Sequence, residues 1–423
     1  MINIFLNDNP SDVSAAPDTR VDEVLRFHRS LPGYRPSPLI SLDTVAEDLG
    51  IERLFIKDEG HRFGLKAFKA LGASYAVYRI LKERSGGALS PEEFLTERGK
   101  SLAGDVTFCC ATDGNHGRAV AWIARLLERP ARVFVPRDTV QARIEAIASE
   151  GATVTVVSGG YDEAVSRAAE AGRESNVIVV ADVAFPGYMT IPRYIQEGYL
   201  TIFKEASLQL REMQEHPPHM IFIQAGVGAF ASAAALFYPD TGGGPILISV
   251  EPTQFACLLH SAEEGNDMPH SVESGGQTIM AGLNCETPSL TAWPLIRDRF
   301  AAFVSIDDHY AGEAMRILAR HGVVSGESGA AGLAAVLAIH RERHTTVHPA
   351  GTILLINTES DTDPDGYRAI VGASAQEGAS AQEGTSTREG ASTREGASTR
   401  EGASTREGAS AQEGTDTPKI ERS

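Results

Sequence analysis

Short apolar runs alternate with longer segments of helical periodicity over most of the chain, between Leu54 and Ile370. This alternation is typical of mostly parallel sheets with helices on both faces. The apolar runs predict strands at residues 106–111, 131–135, 153–157, 177–180, 220–224, 246–250 and 352–356, and the periodic segments predict helices at 118–127, 139–149, 161–171, 188–206 and 230–237. Two sheets, one in each of two lobes, would accommodate that many strands.

The pattern stops near Glu377, where near-repeats of Glu-Gly-Ala-Ser-Thr-Arg begin. From that point the sequence contains no aromatic residue, and Ile420 is its only large aliphatic residue. A segment so poor in apolar residues cannot offset the entropy that is lost on ordering. We therefore predict that residues 371–423 form a disordered low-complexity tail.

Composition favours a soluble protein with a small-molecule function. Of the 423 residues 42% are hydrophobic, yet no continuous apolar run reaches the roughly 20 residues that a membrane-spanning helix needs. A net charge of −18 repels the phosphates of nucleic acids. The first ten residues lack the basic and apolar regions of a secretion signal, so we expect a cytoplasmic protein.

The four cysteines do not indicate a metal site, because Cys109, Cys110, Cys257 and Cys285 form no CxxC pair and have no metal-ligand spacing. Cys109 and Cys110 lie in an apolar run and are predicted to be packed thiols. A disulfide between Cys257 and Cys285 is a minor hypothesis, since it requires the fold to bring their two loops together.

Three loops contain the candidate chemistry. The first, Thr112-Asp113-Gly114-Asn115-His116-Gly117, joins a predicted strand to a predicted helix. Backbone N–H groups at such a junction favour an anion. Alternatively, Thr112 or Asp113 caps the helix while the glycines form the turn.

The second loop, Ala225-Gly226-Val227-Gly228-Ala229-Phe230, follows the predicted strand 220–224. Its glycines either let backbone N–H groups approach a phosphate or only form a turn. The loop also approximates the dinucleotide fingerprint GxGxxG/A, with Glu251 near the position of a ribose-binding acid. We regard this match to an NAD-dependent dehydrogenase as weak, because the loop lies deep in the chain and accompanies a lysine motif that a dehydrogenase does not need.

The third loop, residues 63–73, contains Lys69 directly after Phe68. A lysine that forms a Schiff base must lose its proton near neutral pH, and apolar surroundings or neighbouring cations favour that loss. A solvated helical lysine is more frequent in proteins. Lys69 alone therefore does not distinguish a Schiff-base lysine from a solvated one.

Taken together and in order, the three loops resemble those of the fold-type II pyridoxal-phosphate (PLP) enzymes, the serine/threonine dehydratase and cysteine synthase group. The resemblance spans roughly residues 31–370. Within this group, the detailed sequence of the motifs is similar to that of the diaminopropionate ammonia-lyases. The segments that carry this finer resemblance are 57–60, 62–65, 111–118, 281–285, 324–330, 357–359 and 361–364.

The resemblance implies a fold like that of the tryptophan synthase β chain, with two lobes that are each built on a mostly parallel twisted sheet. Residues 1–83 and 196–370 would form the large PLP-binding domain, and residues 84–195 the small domain. A homodimer is the expected assembly.

The resemblance also implies the cofactor contacts, residue by residue. Lys69 would hold PLP as a Schiff base, Asn115 would donate a hydrogen bond to the pyridine 3′-oxygen, and Thr358 would face the pyridine nitrogen. A hydroxyl there leaves that nitrogen largely unprotonated, which suits elimination from the β-carbon. The phosphate would lie in the cradle of Gly226, Val227, Gly228, Ala229 and Phe230.

Two aspartates complete the implied site. Asp113 stands where related dehydratases have serine, and it would be a second base on the face opposite Lys69. In the diaminopropionate ammonia-lyases both enantiomers are substrates, and the lysine and the aspartate each take the α-proton of one of them. Asp182 would hold the distal ammonium of the substrate or assist its departure; the alternative is a solvated turn residue.

The sequence departs from the family pattern at Lys66, where a neutral residue is usual, and at Ser360, where glycine is usual. Lys66 precedes Lys69 by three residues, and we expect both on roughly the same helical face, so that Lys66 could compete for the Schiff base. We assign Lys69 because, of these two lysines, only Lys69 follows a phenylalanine. Ser360 leaves the geometry around Thr358 open.

These implications predict elimination of ammonia from D- and L-2,3-diaminopropionate, which yields pyruvate and two molecules of ammonia. One alternative is a serine/threonine dehydratase, against which Asp113 argues. An alternative from another class is a non-catalytic sensor that binds PLP or a nucleotide through the same glycine loop.

Overall fold

Strands and helices alternate along the chain in the computed structural model, which describes residues 2–7, 20–112, 114–238, 243–273, 275–344, 347–372 and 420–422. The strands are β1 (Ile2–Leu6), β2 (Leu39–Ser41), β3 (Arg53–Asp58), β4 (Thr107–Ala111), β5 (Ala131–Val135), β6 (Thr153–Val156), β7 (Val177–Val179), β8 (Met220–Gln224), β9 (Ile246–Pro252), β10 (Ala302–Ile306), β11 (Thr352–Asn357) and β12 (Ile420–Arg422). The helices are α1 (Val21–Ser30), α2 (Asp43–Leu49), α3 (Lys69–Arg84), α4 (Glu97–Ala103), α5 (Asn115–Leu126), α6 (Gln141–Ser149), α7 (Tyr161–Ala171), α8 (Thr190–Gly198), α9 (Leu200–Glu212), α10 (Ala229–Phe237), α11 (Cys257–Glu263), α12 (Trp293–Arg299), α13 (Asp308–Arg320), α14 (Ala331–Arg341) and α15 (Pro364–Val371).

The strands form two sheets, as the sequence predicted. The larger sheet has the order β1-β10-β9-β8-β11-β3-β2, with only the edge strands β1 and β2 antiparallel to their neighbours. The smaller sheet has the order β12-β6-β5-β4-β7, and all of its pairs are parallel. Strands β8 and β11 are buried along their whole length, as expected of a parallel sheet covered on both faces. The predicted α/β fold class is confirmed.

The two sheets correspond only in part to the predicted domains. Strands β4 to β7 lie within residues 84–195, while the boundaries of the two domains stay a prediction. Most of the predicted tail, 371–423, lies outside the described residues. The described part of it consists of Val371, which ends α15, Gly372, and β12, which pairs in parallel with β6. In the part of the chain that the structure describes, no helix is long and apolar enough to span a membrane.

Helix α3 is held very close to α8, and two glycines make this possible. A Cβ added at Gly72 would lie 2.7 Å from side-chain atoms of Ile195 and Tyr199. A Cβ at Gly198 would lie 2.5 Å from the carbonyl oxygen of Leu71. Since such distances are far below van der Waals contact, larger residues would push the helices apart. The close packing fixes the position of α3, whose first residue is Lys69.

A buried ionic network fixes the turn between β3 and α3. Lys57 Nζ donates to Glu205 Oε2 at 2.7 Å, and Arg62 donates to Glu205 and to Glu59, each at 2.8 Å. All four side chains are buried. Burial raises the pKa of Glu205, but Arg62 and Lys57 outweigh it and bring that pKa down to about 2. Lys57, Glu59 and Arg62 therefore have a structural role in the segments 57–60 and 62–65.

Candidate active site

The candidate residues meet where the carboxyl ends of strands from both sheets come together. The loop 112–117 follows β4, Asp182 follows β7, the glycine loop follows β8, and Thr358 follows β11. Phe68 connects these segments to α3: its N–H donates to the Thr358 carbonyl at 3.1 Å, and its ring centroid lies 4.8 Å from that of Phe230. Ligands of open α/β sheets bind at such an edge.

Lys69 and Asp182 form an ion pair at the start of α3. The Lys69 ammonium donates to Asp182 Oδ2 at 2.7 Å, and the two side chains are 22% and 13% exposed. Burial raises the pKa of Asp182, but the neighbouring Lys69 and His116 hold it well below its usual range. The alternative for Asp182, a solvated turn residue, is wrong, because the carboxylate is shielded and paired.

Lys66 is held away from this pair. Helix α3 begins only at Lys69, and Lys66 has a left-handed φ of +61°, so the expectation that both lysines share a helical face is wrong. Lys66 Nζ donates to Asp361 Oδ1 at 2.8 Å, and the side chain is 44% exposed. Each lysine thus has its own carboxylate, which supports the choice of Lys69.

The first loop combines a cap with an amide that faces the large sheet. Thr112 Oγ1 accepts hydrogen bonds from the N–H groups of Gly114 and Gly117, at 3.0 and 3.2 Å, so the capping alternative holds for Thr112. Asn115 Nδ2 donates to Glu359 Oε2. An amide NH₂ has two hydrogens, so this bond orients Asn115 and leaves one hydrogen for a ligand. Asp113 lies outside the described residues.

His116 lies beside Asp182 in the same loop. Its Nε2 is 2.7 Å from the Val180 carbonyl oxygen, which can only accept, so Nε2 carries a hydrogen. Its Nδ1 is buried, 3.8 Å from Asp182 Oδ2, and has no hydrogen-bond partner among the described residues. The ring therefore presents its second nitrogen to the Asp182 carboxylate.

The glycine loop has the properties of a phosphate cradle. None of the backbone N–H groups of residues 226–230 donates a hydrogen bond within the described part of the chain. Gly228 has a left-handed φ of +89°, and a Cβ there would lie 2.6 Å from Ile296 Cδ1. Because free N–H groups at a helix N-terminus favour an anion, the residues present fit the phosphate of PLP.

Thr358 has a partner that determines how its hydroxyl can act. Gln224 Nε2 donates to Thr358 Oγ1 at 3.0 Å and to the Ile356 carbonyl at 2.8 Å. Since the hydroxyl oxygen accepts from Gln224, its own proton remains for another acceptor, such as an unprotonated pyridine nitrogen. Ser360 does not disturb this arrangement, because its N–H donates to the Lys66 carbonyl at 2.9 Å and its hydroxyl donates to Asp361 Oδ1 at 3.0 Å.

The structure argues against the weak dinucleotide match. The Glu251 carboxylate accepts hydrogen bonds from the N–H groups of Leu258 and Leu259, at 2.7 and 2.9 Å, and so caps α11. Burial raises the pKa of Glu251 to about 8. Glu251 is thus committed to the helix and is not available to a ribose.

The four cysteines are free thiols. Cys109, Cys110 and Cys257 are buried, as predicted for the first two. The hypothesis of a disulfide between Cys257 and Cys285 does not hold in the structure, although both residues lie against Gly226.

A family model described as pyridoxal-phosphate dependent enzyme matches residues 30–359. The diaminopropionate ammonia-lyase of Salmonella typhimurium is 39% identical over 367 residues, which are 82% of this chain and 91% of that protein. The crystal structure of the Escherichia coli diaminopropionate ammonia lyase in complex with an aminoacrylate-PLP azomethine intermediate matches with a TM-score of 0.78 and 34% identity, over 88% of this chain and 97% of that chain.

A second crystal structure of the Escherichia coli enzyme, in complex with D-serine, gives the same TM-score of 0.78, 34% identity and the same coverage of 88% and 97%. The resemblance that the three loops predicted is therefore confirmed over most of the chain.

Proposed function

The chain belongs to the family of pyridoxal-phosphate dependent enzymes, and on that basis we propose that it eliminates ammonia from D- and L-2,3-diaminopropionate. With one water, each molecule of substrate yields one pyruvate and two ammonia. The similarity to diaminopropionate ammonia-lyases supports this substrate.

The observation that carries the proposal is the partly buried ion pair of Lys69 and Asp182. A lysine that binds a cofactor through its amine no longer offers an ammonium to its neighbour. Asp182 would then lose its strongest cationic partner while remaining shielded from water, which is unfavourable for a carboxylate. The distal ammonium of a diamino acid restores the charge pair, whereas the hydroxyl of serine cannot.

The residues of this chain would hold the cofactor as described above. Residues 226–230 would bind the phosphate, Asn115 would donate to the 3′-oxygen, Thr358 would donate to the ring nitrogen, and Lys69 would provide the amine for the Schiff base. When bound, PLP supplies the electron sink for the electrons of the breaking Cα–H bond.

The side chains of this protein act in the remaining steps as general bases and as a charge partner of the substrate. The Lys69 amine takes the α-proton of one enantiomer, and Asp113 takes that of the other from the opposite face. Asp182 keeps the distal nitrogen in place until it leaves as ammonia. Hydrolysis of the three-carbon enamine then releases pyruvate and the second ammonia.

The test is pyruvate release from D- and L-diaminopropionate, with L-serine and L-threonine in parallel, for wild type, Lys69→Ala and Asp113→Asn. We expect wild type to use both diaminopropionate enantiomers, Lys69→Ala to lose the visible absorption of bound PLP, and Asp113→Asn to lose mainly the D-isomer. A clear preference for serine or threonine would instead identify a dehydratase. Binding of PLP without any turnover would identify a sensor.

We also propose that the enzyme is a cytoplasmic homodimer without nucleic-acid partners. An isologous pair is the commonest assembly of soluble enzymes, and the net charge of −18 disfavours nucleic acid. Light scattering on the purified full chain tests the assembly, and a mass equal to one chain would contradict it.

A further inference from the structure

Strand β6 would be an edge of the smaller sheet if the C-terminal strand β12 did not cover it. It pairs with β5 on one side and with β12 on the other, and β12 is the outermost strand of the sheet order. The register places Ile420 opposite Val154 and Arg422 opposite Val156. An uncovered edge strand presents main-chain N–H and C=O groups to any other extended segment. Strand β12 therefore occupies a surface to which further strands could add.

The sequence around β6 is well suited to pairing with other strands. Residues 152–157 read Ala-Thr-Val-Thr-Val-Val, so that five β-branched residues follow one another without a charge or a proline. A short segment of high β-propensity and no charge is the pattern that favours strand pairing between molecules. Without β12, this segment would form an open edge with which a second copy of the chain could pair.

The C-terminal strand has the opposite character. It is three residues long and contains Glu421 and Arg422, and Pro418 and Lys419 directly precede it. Natural sheets protect their edges with short strands, charges and prolines, because these features disfavour the addition of another strand. With β12 as the outermost strand, a short and charged edge replaces an uncharged one.

The covalent connection explains how so short a strand can hold its place. Three paired residues alone form a weak contact, since even an isolated two-stranded hairpin is only marginally stable. Residues 373–419 join β12 to α15, and such a link gives the segment a much higher effective concentration than a free peptide would have. This connecting stretch contains no run of consecutive β-branched residues that would compete with β12 for β6.

We propose that the β6 edge is a strand-addition site whose occupant is the C-terminal segment of the chain itself, residues 420–422, and that this occupant keeps a second copy from pairing there. The inference goes beyond the proposed function, because the candidate site uses β4 and β7 of this sheet and not β6. It assigns a role to the last residues of a tail whose composition predicts disorder.

Hydrogen exchange on the PLP-loaded full chain tests whether the segment occupies the edge. The variant combines Ile420→Gly, Glu421→Gly and Arg422→Gly, which keeps the chain length and the net charge of −18 but disfavours a strand. At low protein concentration, we expect the amides of residues 153–157 to exchange at least about 10-fold faster than in wild type. Those of the interior strand β4 should stay unchanged. Equal exchange at 153–157 in both proteins would overturn the proposal.

Light scattering tests whether the uncovered edge pairs with a second copy. The three-glycine variant should associate as its concentration rises through the micromolar range, whereas wild type should keep a constant mass. Adding Thr155→Lys to this variant places a charge in the middle of β6 and should suppress the association. A constant mass for the three-glycine variant, or association that persists with Thr155→Lys, would show that β6 does not pair with a second copy and would contradict the inference.

Matched controls separate the terminal strand from the repeats. Ala403→Gly, Ser404→Gly and Thr405→Gly make the same kind of change within the near-repeats and should leave exchange and mass as in wild type. An effect equal to that of the three-glycine variant would mean that β12 has no special role, and the proposal would fail. Circular dichroism checks that the variant with Thr155→Lys is folded, and Thr153→Lys takes its place if it is not. None of these measurements uses turnover, so their outcome is independent of the substrate.

Discussion

Replacing Asp182 with asparagine changes one charge at the centre of the site while keeping the size of the side chain. If Asp182 holds the distal ammonium, Asp182→Asn should lower kcat/KM for diaminopropionate by about 100-fold, since a charge-assisted hydrogen bond is worth roughly 1.5–3 kcal/mol. Elimination from serine, which has no distal ammonium, should fall less than about 10-fold on the same grounds. Steady-state kinetics with both substrates measures the ratio, and an equal loss for both would contradict the assigned role.

His28 gives the fold a pH dependence of its own. The ring is buried, 2.6 Å from Thr201 Oγ1 and 3.0 Å from the Leu71 carbonyl oxygen, and burial lowers its pKa from 6.5 to about 3. Between these two values the unfolded chain binds a proton that the folded chain does not. The stabilisation by His28 is therefore complete above pH 6.5 and is lost as the pH falls toward 3.

We predict that this effect removes about 2 kcal/mol of unfolding free energy between pH 7 and pH 5. His28→Gln cannot be protonated, so urea unfolding of this variant should lack that part of the pH dependence. The difference in unfolding free energy between wild type and variant should therefore be about 2 kcal/mol smaller at pH 5 than at pH 7. Parallel pH curves for the two proteins would refute the assignment.

The residues of the site differ in how well the sequence could predict them. Lys69, Asn115 and Thr358 follow from motifs of adjacent residues. Gln224 and Glu359 were missed, because their roles depend on hydrogen bonds to residues that are distant in sequence. Gln224 meets Thr358 through the pairing of β8 and β11 in the larger sheet, whereas Glu359 meets Asn115 where the two sheets come together. The available signal was weak: Gln224 is the last residue of the buried strand β8, and Glu359 follows the buried strand β11 by two residues.

At the scale of elements, the contact between α3 and α8 depends on the absence of side chains at Gly72 and Gly198. Gly72→Ala should reduce the free energy of unfolding by about 1–3 kcal/mol, the usual cost of overpacking. It should also lower the affinity for PLP, because α3 begins at Lys69. Denaturant unfolding and cofactor titration measure the two effects.

Gly160→Ala is the matched control, because a Cβ there would have no heavy atom within 4 Å and the backbone φ of −87° suits any residue. Its stability should stay within about 0.5 kcal/mol of wild type. If Gly72→Ala were equally harmless, the two helices would be less tightly packed than the described structure requires.

The elements were predicted well where periodicity is strong and poorly where it is not. All seven predicted strands and four of the five predicted helices are present, with ends within three residues. A single helix was predicted for residues 188–206, because the apolar spacing is continuous across this segment. The structure instead has two helices, α8 and α9, which meet at Tyr199. The edge strands β1 and β2 were not predicted, because neither alternates between buried and exposed positions. Strands β3, β10 and β12 were not predicted either.

At the scale of the whole molecule, truncation measures how much the C-terminal region contributes. A chain that ends after Gly372 keeps α15 but loses β12, which pairs with β6 at the edge of the smaller sheet. The site uses β4 and β7 of that sheet, so kcat/KM should remain within about 2-fold of wild type, an energy change below about 0.5 kcal/mol. Removing only residues 420–423 separates the strand from the repeats, and a large loss of activity in either variant would contradict the prediction.

The neutral network of Lys57, Glu59, Arg62 and Glu205 has a consequence for how this sequence can evolve. Replacing one member leaves an opposite charge buried without its partner, at a cost of about 3–5 kcal/mol. Replacing all four with apolar residues of similar volume is often neutral or stabilising. Single substitutions that lead from the four-charge network to an apolar core of similar volume therefore pass through less stable intermediates. Epistasis of this kind would preserve the four charges even if their net contribution to stability were zero.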